Sequence, residues 1–121
     1  MKQEKILITG ANGQLGSVLV KRLQEKHGVN NVVATDIVAN EYFVGNFVIL
    51  DVLDFERLKS IVIQNEITQI YHLAAILSAS GEKHPKRTWD INTKTLFNVL
   101  EVSVIQNVNK LFFPSSIAVY G

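Results

Sequence analysis

Residues 5–16 read Lys5-Ile6-Leu7-Ile8-Thr9-Gly10-Ala11-Asn12-Gly13-Gln14-Leu15-Gly16, an apolar run that breaks into a loop of three glycines. A strand buried on both faces of a parallel sheet needs a continuous apolar run rather than an alternating one, so Lys5 to Thr9 predicts such a strand. Beyond the loop, Leu15, Val18, Leu19 and Leu23 recur at helical spacing as far as about His27, and Gly28 stands where a helix C-cap belongs. In this strand–loop–helix setting each glycine has a task. Gly10 permits the tight turn, Gly13 lets the main chain approach a pyrophosphate, and Gly16 lets the helix lie close to the strand. The helix start then offers free N–H groups and a partial positive charge to phosphate oxygens. A glycine triplet alone also fits a purely structural turn; between this strand and this helix it predicts a bound dinucleotide.

Outward from that unit, a second strand is predicted from about Asn31 to Asp36, a loop over 37–46, and a third strand over Phe47 to Leu50. Asp54 sits as an N-cap ahead of Phe55, Leu58, Ile61 and Val62 at helical spacing, and Asn65 ends that helix. A fourth strand covers about Gln69 to Ala74, and a loop rich in small and polar residues follows to Pro85. A long helix spans about Arg87 to Gln106, and a fifth strand Lys110 to Pro114. Strands alternating with helices predict the α/β class: a Rossmann-like doubly wound parallel sheet, five strands in the order 3-2-1-4-5, ending before a sixth. Residues 1–121 then form one domain. In the long helix, Leu96, Phe97, Val99, Leu100, Val102, Val104 and Ile105 span more arc than one core-facing stripe requires. Either the helix is deeply buried in this domain or its outer side packs on another subunit.

Asp36 closes the second strand about 20 residues beyond Gly16, the offset of a ribose-binding acid. Its carboxylate can accept both hydroxyls of an adenosine ribose and would repel a 2′-phosphate, which favours NAD over NADP; the alternative is that it merely ends a strand. Asp51 follows the third strand and is assigned to the adenine amino group, with Val52 on the ring face. The other reading of Asp51 is a capping role shared with Asp54.

Composition narrows the remaining classes. The chain has 121 residues, 47% hydrophobic and 19% charged, with 12 Lys+Arg against 11 Asp+Glu. That is enough apolar material for one core and no clustered basic face for nucleic acid. The absence of cysteine excludes disulfides, thiol chemistry and Cys-based zinc sites. His27, His72 and His84 are too dispersed for a metal site, and His72 reads as a satisfied histidine ending a buried strand. Trp89 reads as a packing residue. Met1 to Lys5 leads straight into the first strand without a leader pattern, and no apolar window reaches membrane-span length, so a cytoplasmic protein is expected.

Thr9 to Gly16, Asp36, Asp51, His72-Leu73-Ala74-Ala75 and Ser115-Ser116-Ile117-Ala118-Val119-Tyr120-Gly121 occur in that order. Over essentially its whole length the chain resembles the N-terminal part of an extended short-chain dehydrogenase/reductase, the group of NAD-dependent epimerases and dehydratases. Within it, Leu73 to Ala79, Glu82-Lys83, Pro85, Trp89-Asp90-Ile91-Asn92 and Phe112 to Val119 are similar to the short-chain type of L-threonine 3-dehydrogenase. Nucleotide-sugar epimerases more often carry a glycine where Lys94 and Thr95 stand.

The resemblance implies oxidation of the 3-hydroxyl of L-threonine to 2-amino-3-oxobutyrate with formation of NADH, and a homodimer in the full-length protein. It places Gly10, Asn12, Gly13, Gln14 and Leu15 in the pyrophosphate loop and Leu73, Ala74 and Ala75 along the nicotinamide-side ribose. Asn92 lies near the cofactor by the same likeness, with a helix-stabilising amide as the other reading. Ser78 is implied to touch substrate, and Ser116 to be the catalytic serine that hydrogen-bonds the reacting hydroxyl. The family's general base, a tyrosine followed four residues later by lysine, has no match: Tyr42 is followed by Asn46, Tyr71 by Ala75, and Tyr120 only by Gly121. The stretch is therefore expected to bind NAD without turning over.

Overall fold

The computed structural model describes residues 3–74 and 85–113. Expectations placed on Ala75, Ser78 and Ser116 lie outside the described residues. Five parallel strands are present: β1 (Ile6–Thr9), β2 (Val32–Asp36), β3 (Asn46–Ile49), β4 (Gln69–His72) and β5 (Lys110–Phe112). Their order is β3-β2-β1-β4-β5, as expected from the alternation of elements. From β1 the chain winds outward to β3, then returns to place β4 on the other side of β1. The reversal opens a crevice above the carboxyl ends of β1 and β4, where ligands bind in open α/β sheets.

Helices cover both faces, which is why the central strands carry no polar side. Ile6, Ile8, Val32 and Ala34 point to one face and pack with Val20 and Leu23 of α1 (Gln14–His27). Leu7, Val33 and Ile70 point to the other, against Leu58, Ile61 and Val62 of α2 (Phe55–Gln64) and Val99 and Val102 of α3 (Pro85–Ile105). Asp54 caps α2 by accepting the Arg57 N–H, and Asn65 terminates it. Gly28 ends α1 with φ +96° and returns its N–H to the Gln24 carbonyl.

Several expectations need correction. The inner stripe of α1 is Gly16, Val20 and Leu23; Leu15 and Val18 are more than half exposed. Because Gly16 has no side chain, the helix approaches the sheet on that side and turns the two larger residues outward. β3 starts one residue earlier than predicted, at Asn46, and stops before Leu50, whose N–H goes instead to the Asp36 carbonyl at 2.8 Å. β4 stops at His72, so Leu73 and Ala74 are loop. Helix α3 is not buried all round: Thr95, Val99 and Val102 form one inner stripe, while Phe97 (64% exposed) and Val104 (77%) face outward together with Leu100 and Ile105. Among the described residues no helix is long and apolar enough to cross a membrane.

Candidate functional site

The crevice is built from three segments that leave the carboxyl ends of β1, β2 and β4. The first is the glycine loop. Gly10 has φ +73°, and a Cβ there would stand 2.7 Å from the Leu73 carbonyl carbon and oxygen, so only glycine fits both the turn and the approach to β4. A Cβ on Gly16 would run into the Gly10 carbonyl oxygen and the Ala11 backbone. Gly13 differs from both. A Cβ there meets only the Gly10 oxygen, at an ordinary 3.5 Å, so nothing inside the chain demands glycine.

Gly13 is also the N-cap of α1, and no side chain caps that end; the first turn holds no acid. The N–H groups of Gln14, Leu15 and Gly16 are therefore left for a partner outside the helix. Helix α2 shows the contrast, with Asp54 as cap and Glu56 in its first turn. An uncapped helix start beside a glycine with open space above it fits the pyrophosphate of a dinucleotide.

The second segment is the end of β2. The Asp36 carboxylate accepts the Asn12 N–H at 2.9 Å on one oxygen and the Ile37 N–H at 2.7 Å on the other. These two bonds fix its orientation at the rim of the glycine loop and leave lone pairs on both oxygens for hydroxyl donors. Asn12 does more than the loop assignment foresaw. Its side-chain amide donates to the Val38 carbonyl at 2.8 Å and accepts from Asn40 at 3.2 Å, tying the loop after β2 to the glycine loop.

Asp51 follows β3 and is exposed. One oxygen accepts the Leu53 N–H at 3.0 Å, and its carbonyl accepts the Asp54 N–H, so it shapes the turn into α2; the other carboxylate oxygen has no hydrogen bond among the described residues. The Val52 side chain points inward and is 4% exposed among core residues, which spends it on packing. Its carbonyl accepts the Asn98 amide at 2.8 Å, a tie to α3 that the sequence reading missed.

The third segment is His72-Leu73-Ala74. Leu73 and Ala74 are partly buried, and their backbone lies against Gly10. The Thr9 hydroxyl joins them to β1 through bonds from the Leu73 and Ala74 N–H groups, and it meets His72 Nδ1 at 2.8 Å. His72 is buried, as expected, and burial lowers its pKa from 6.5 to about 4, so the ring is neutral at physiological pH. Asn92 lies in the second turn of α3 with its carbonyl accepting the Thr95 hydroxyl. Gln14 and Leu15 are exposed at the mouth of the crevice. Among the described residues no three His, Cys, Asp or Glu side chains gather as a metal site would require.

Known proteins are similar to this chain in sequence and in geometry. The sequence profile of the NAD dependent epimerase/dehydratase family matches residues 6–121. An uncharacterized epimerase/dehydratase of Staphylococcus aureus (strain USA300) is 43% identical over 98% of the chain, which spans 38% of that relative's length. The GalE-like L-threonine dehydrogenase from Cupriavidus necator, in its holo form, superposes with a TM-score of 0.87 at 43% identity, over 92% of this chain and 37% of that one. A UDP-glucose-4-epimerase from Stenotrophomonas maltophila, with bound NAD, superposes at 0.83 with 27% identity, over 98% of this chain and 38% of that one.

Proposed function

The chain belongs to the NAD dependent epimerase/dehydratase family, and from that membership we propose that it is the NAD-binding part of an oxidoreductase that acts on L-threonine. The observation that carries the NAD half of this reading is Gly13: a glycine with no internal need for one, at an uncapped helix start, beside an oriented Asp36. The N–H groups at the start of α1 hold the pyrophosphate, and Asp36 takes the two hydroxyls of the adenosine ribose. Asp51 offers its second oxygen to the adenine amino group, and the Leu73–Ala74 backbone lines the nicotinamide-side ribose. An acid at position 36 leaves no room for a 2′-phosphate without like-charge repulsion, so NAD is preferred to NADP.

When bound, NAD supplies the hydride acceptor. The serine that hydrogen-bonds the substrate hydroxyl is Ser116, Ser78 belongs to the substrate pocket, and Ala75 extends the ribose wall; all three roles rest on the family resemblance. The general base and the rest of the substrate pocket are assigned to the part of the longer relatives that this chain does not span. The 121 residues alone therefore bind NAD and do not turn over. The outward apolar face of α3, with Phe97, Leu100 and Val104, is the surface for a second subunit in the full-length protein.

Support for threonine over a nucleotide sugar comes from identity: 43% with the threonine dehydrogenase against 27% with the epimerase. The test is NADH formation by the full-length protein, offered L-threonine and UDP-galactose separately, with the 121-residue chain as control. NADH with threonine alone and only from the full-length protein is the expected result. A folded, NAD-binding full-length protein that is silent with threonine would transfer the assignment to nucleotide-sugar chemistry.

A further inference from the structure

Where the strand order reverses, between β1 and β4, a small buried set of hydrogen bonds assigns its proton positions. The Thr9 hydroxyl oxygen accepts from the Leu73 N–H at 3.0 Å and from the Ala74 N–H at 3.2 Å. The Leu73 N–H is shared with the Thr9 carbonyl, whereas Ala74 has no other acceptor among the described residues. Both lone pairs of the hydroxyl are thus used. Among the described residues its own proton has one partner, His72 Nδ1 at 2.8 Å. This bonding pattern assigns a bare Nδ1 to His72, with the proton of the neutral ring on Nε2.

We propose that His72 is a positioning residue of the dinucleotide cleft: its bare Nδ1 takes the Thr9 proton, turns the hydroxyl lone pairs toward Leu73 and Ala74, and so holds that backbone against Gly10. The inference rests on the reading of the cleft as an NAD site. His72 is 3% exposed, so it acts through Thr9, its register partner across β1 and β4. The contact it holds is tight. A Cβ on Gly10 would stand 2.7 Å from the Leu73 carbonyl group and 2.9 Å from the Ala74 nitrogen. Glycine loop and β4 loop therefore meet backbone to backbone, and a shift of Leu73–Ala74 changes the wall that the nicotinamide-side ribose lies on. Without the acceptor at position 72 the hydroxyl proton has no fixed direction, and the Ala74 N–H loses its defined partner.

A residue that only fills space would behave differently under substitution. His72→Asn places an amide oxygen near the position of Nδ1 and keeps the acceptor in a smaller side chain. His72→Leu restores bulk and removes the acceptor. Calorimetric titration of the full-length protein with NAD, and with AMP as a probe of the Asp36 end, separates the two cases. The expected result is a three- to tenfold loss of NAD affinity in His72→Leu, recovered largely in His72→Asn, with AMP affinity level throughout. Thr9→Val and Thr9→Ser provide the same loss and recovery from the other side of the bond, should His72→Leu fail to fold.

Hydrogen exchange at the Ala74 amide, measured without ligand, is the second readout: it rises in His72→Leu and Thr9→Val and stays low in His72→Asn and Thr9→Ser. NAD affinity in His72→Leu equal to the unsubstituted protein, or better than in His72→Asn, overturns the proposal while leaving the NAD reading intact. Failure of the unsubstituted protein to bind NAD overturns the NAD reading and the cleft role together, and the exchange pattern then decides whether the lock exists.

Discussion

Gly13→Ala separates the demands of folding from those of binding. Gly13 has φ −71° and ψ 171°, an extended conformation open to any residue, and its built Cβ touches only the Gly10 oxygen at 3.5 Å. Two small effects on stability oppose each other. Alanine restricts the unfolded chain, a gain of about 0.4–1 kcal/mol, and it is the poorer N-cap, a loss of about 0.5–1 kcal/mol. The net change is within about 1 kcal/mol of zero. On the proposed NAD site the same methyl group would stand where a pyrophosphate oxygen approaches the N–H groups of α1. Losing one charge-assisted hydrogen bond there removes about 1.5–3 kcal/mol, a fall in NAD affinity of roughly ten- to a hundredfold. Urea denaturation measures the first quantity and calorimetric titration with NAD the second. NAD affinity within twofold of the unsubstituted protein would refute the placement of the pyrophosphate, and a stability loss above about 2 kcal/mol would show that the space is not open.

Gly10→Ala should do the reverse, destabilising the fold by about 2–5 kcal/mol through left-handed strain and the clash with Leu73, read as a lower denaturation midpoint. Asp54→Ala removes the cap bond to the Arg57 N–H and should lower stability by about 1 kcal/mol with NAD affinity unchanged, since among the described residues the side chain bonds only that N–H and the main-chain bond to the Asp51 carbonyl is kept. Acid should weaken the fold through His72. Its folded pKa lies below the unfolded value, so its contribution is present above pH 6.5 and is lost as pH falls toward about 4. Denaturation at pH 7 and pH 5 should differ by about 2 kcal/mol from this group, and His72→Asn should remove that part of the difference.

The order of elements and the strand order were legible because buried parallel strands are short apolar runs and because Asp54, Asn65 and Gly28 mark helix ends by chemistry that acts locally. The contact face of α1 was not legible. Apolar spacing counts Leu15 and Val18, but the close approach is made by Gly16, which carries no apolar signal. In α3 the same counting left deep burial and an outward-packing side both open, and the structure turns Phe97 and Val104 outward. In the site, Gly10 and Asp36 were readable from motif spacing and the Leu73–Ala74 stretch from the family resemblance; the structure sets Leu73–Ala74 against Gly10 and bonds Asp36 to Asn12 of the same loop. The pairing of Thr9 with His72 was not, since it depends on the register that sets β4 beside β1 across 63 residues of sequence. Asn98 reaching the Val52 carbonyl depends likewise on how α3 lies over the turn after β3. A threonine ending a buried strand needs a partner for its hydroxyl, and that requirement was the one signal available.

The most direct test of the account is a calorimetric comparison of NAD with NADP on the full-length protein, with Asp36→Ala in parallel. NAD should bind, NADP at least tenfold more weakly, and Asp36→Ala should lose affinity for NAD and narrow that gap. Absence of NAD binding by the folded protein, or equal affinity for the two nucleotides, would contradict it.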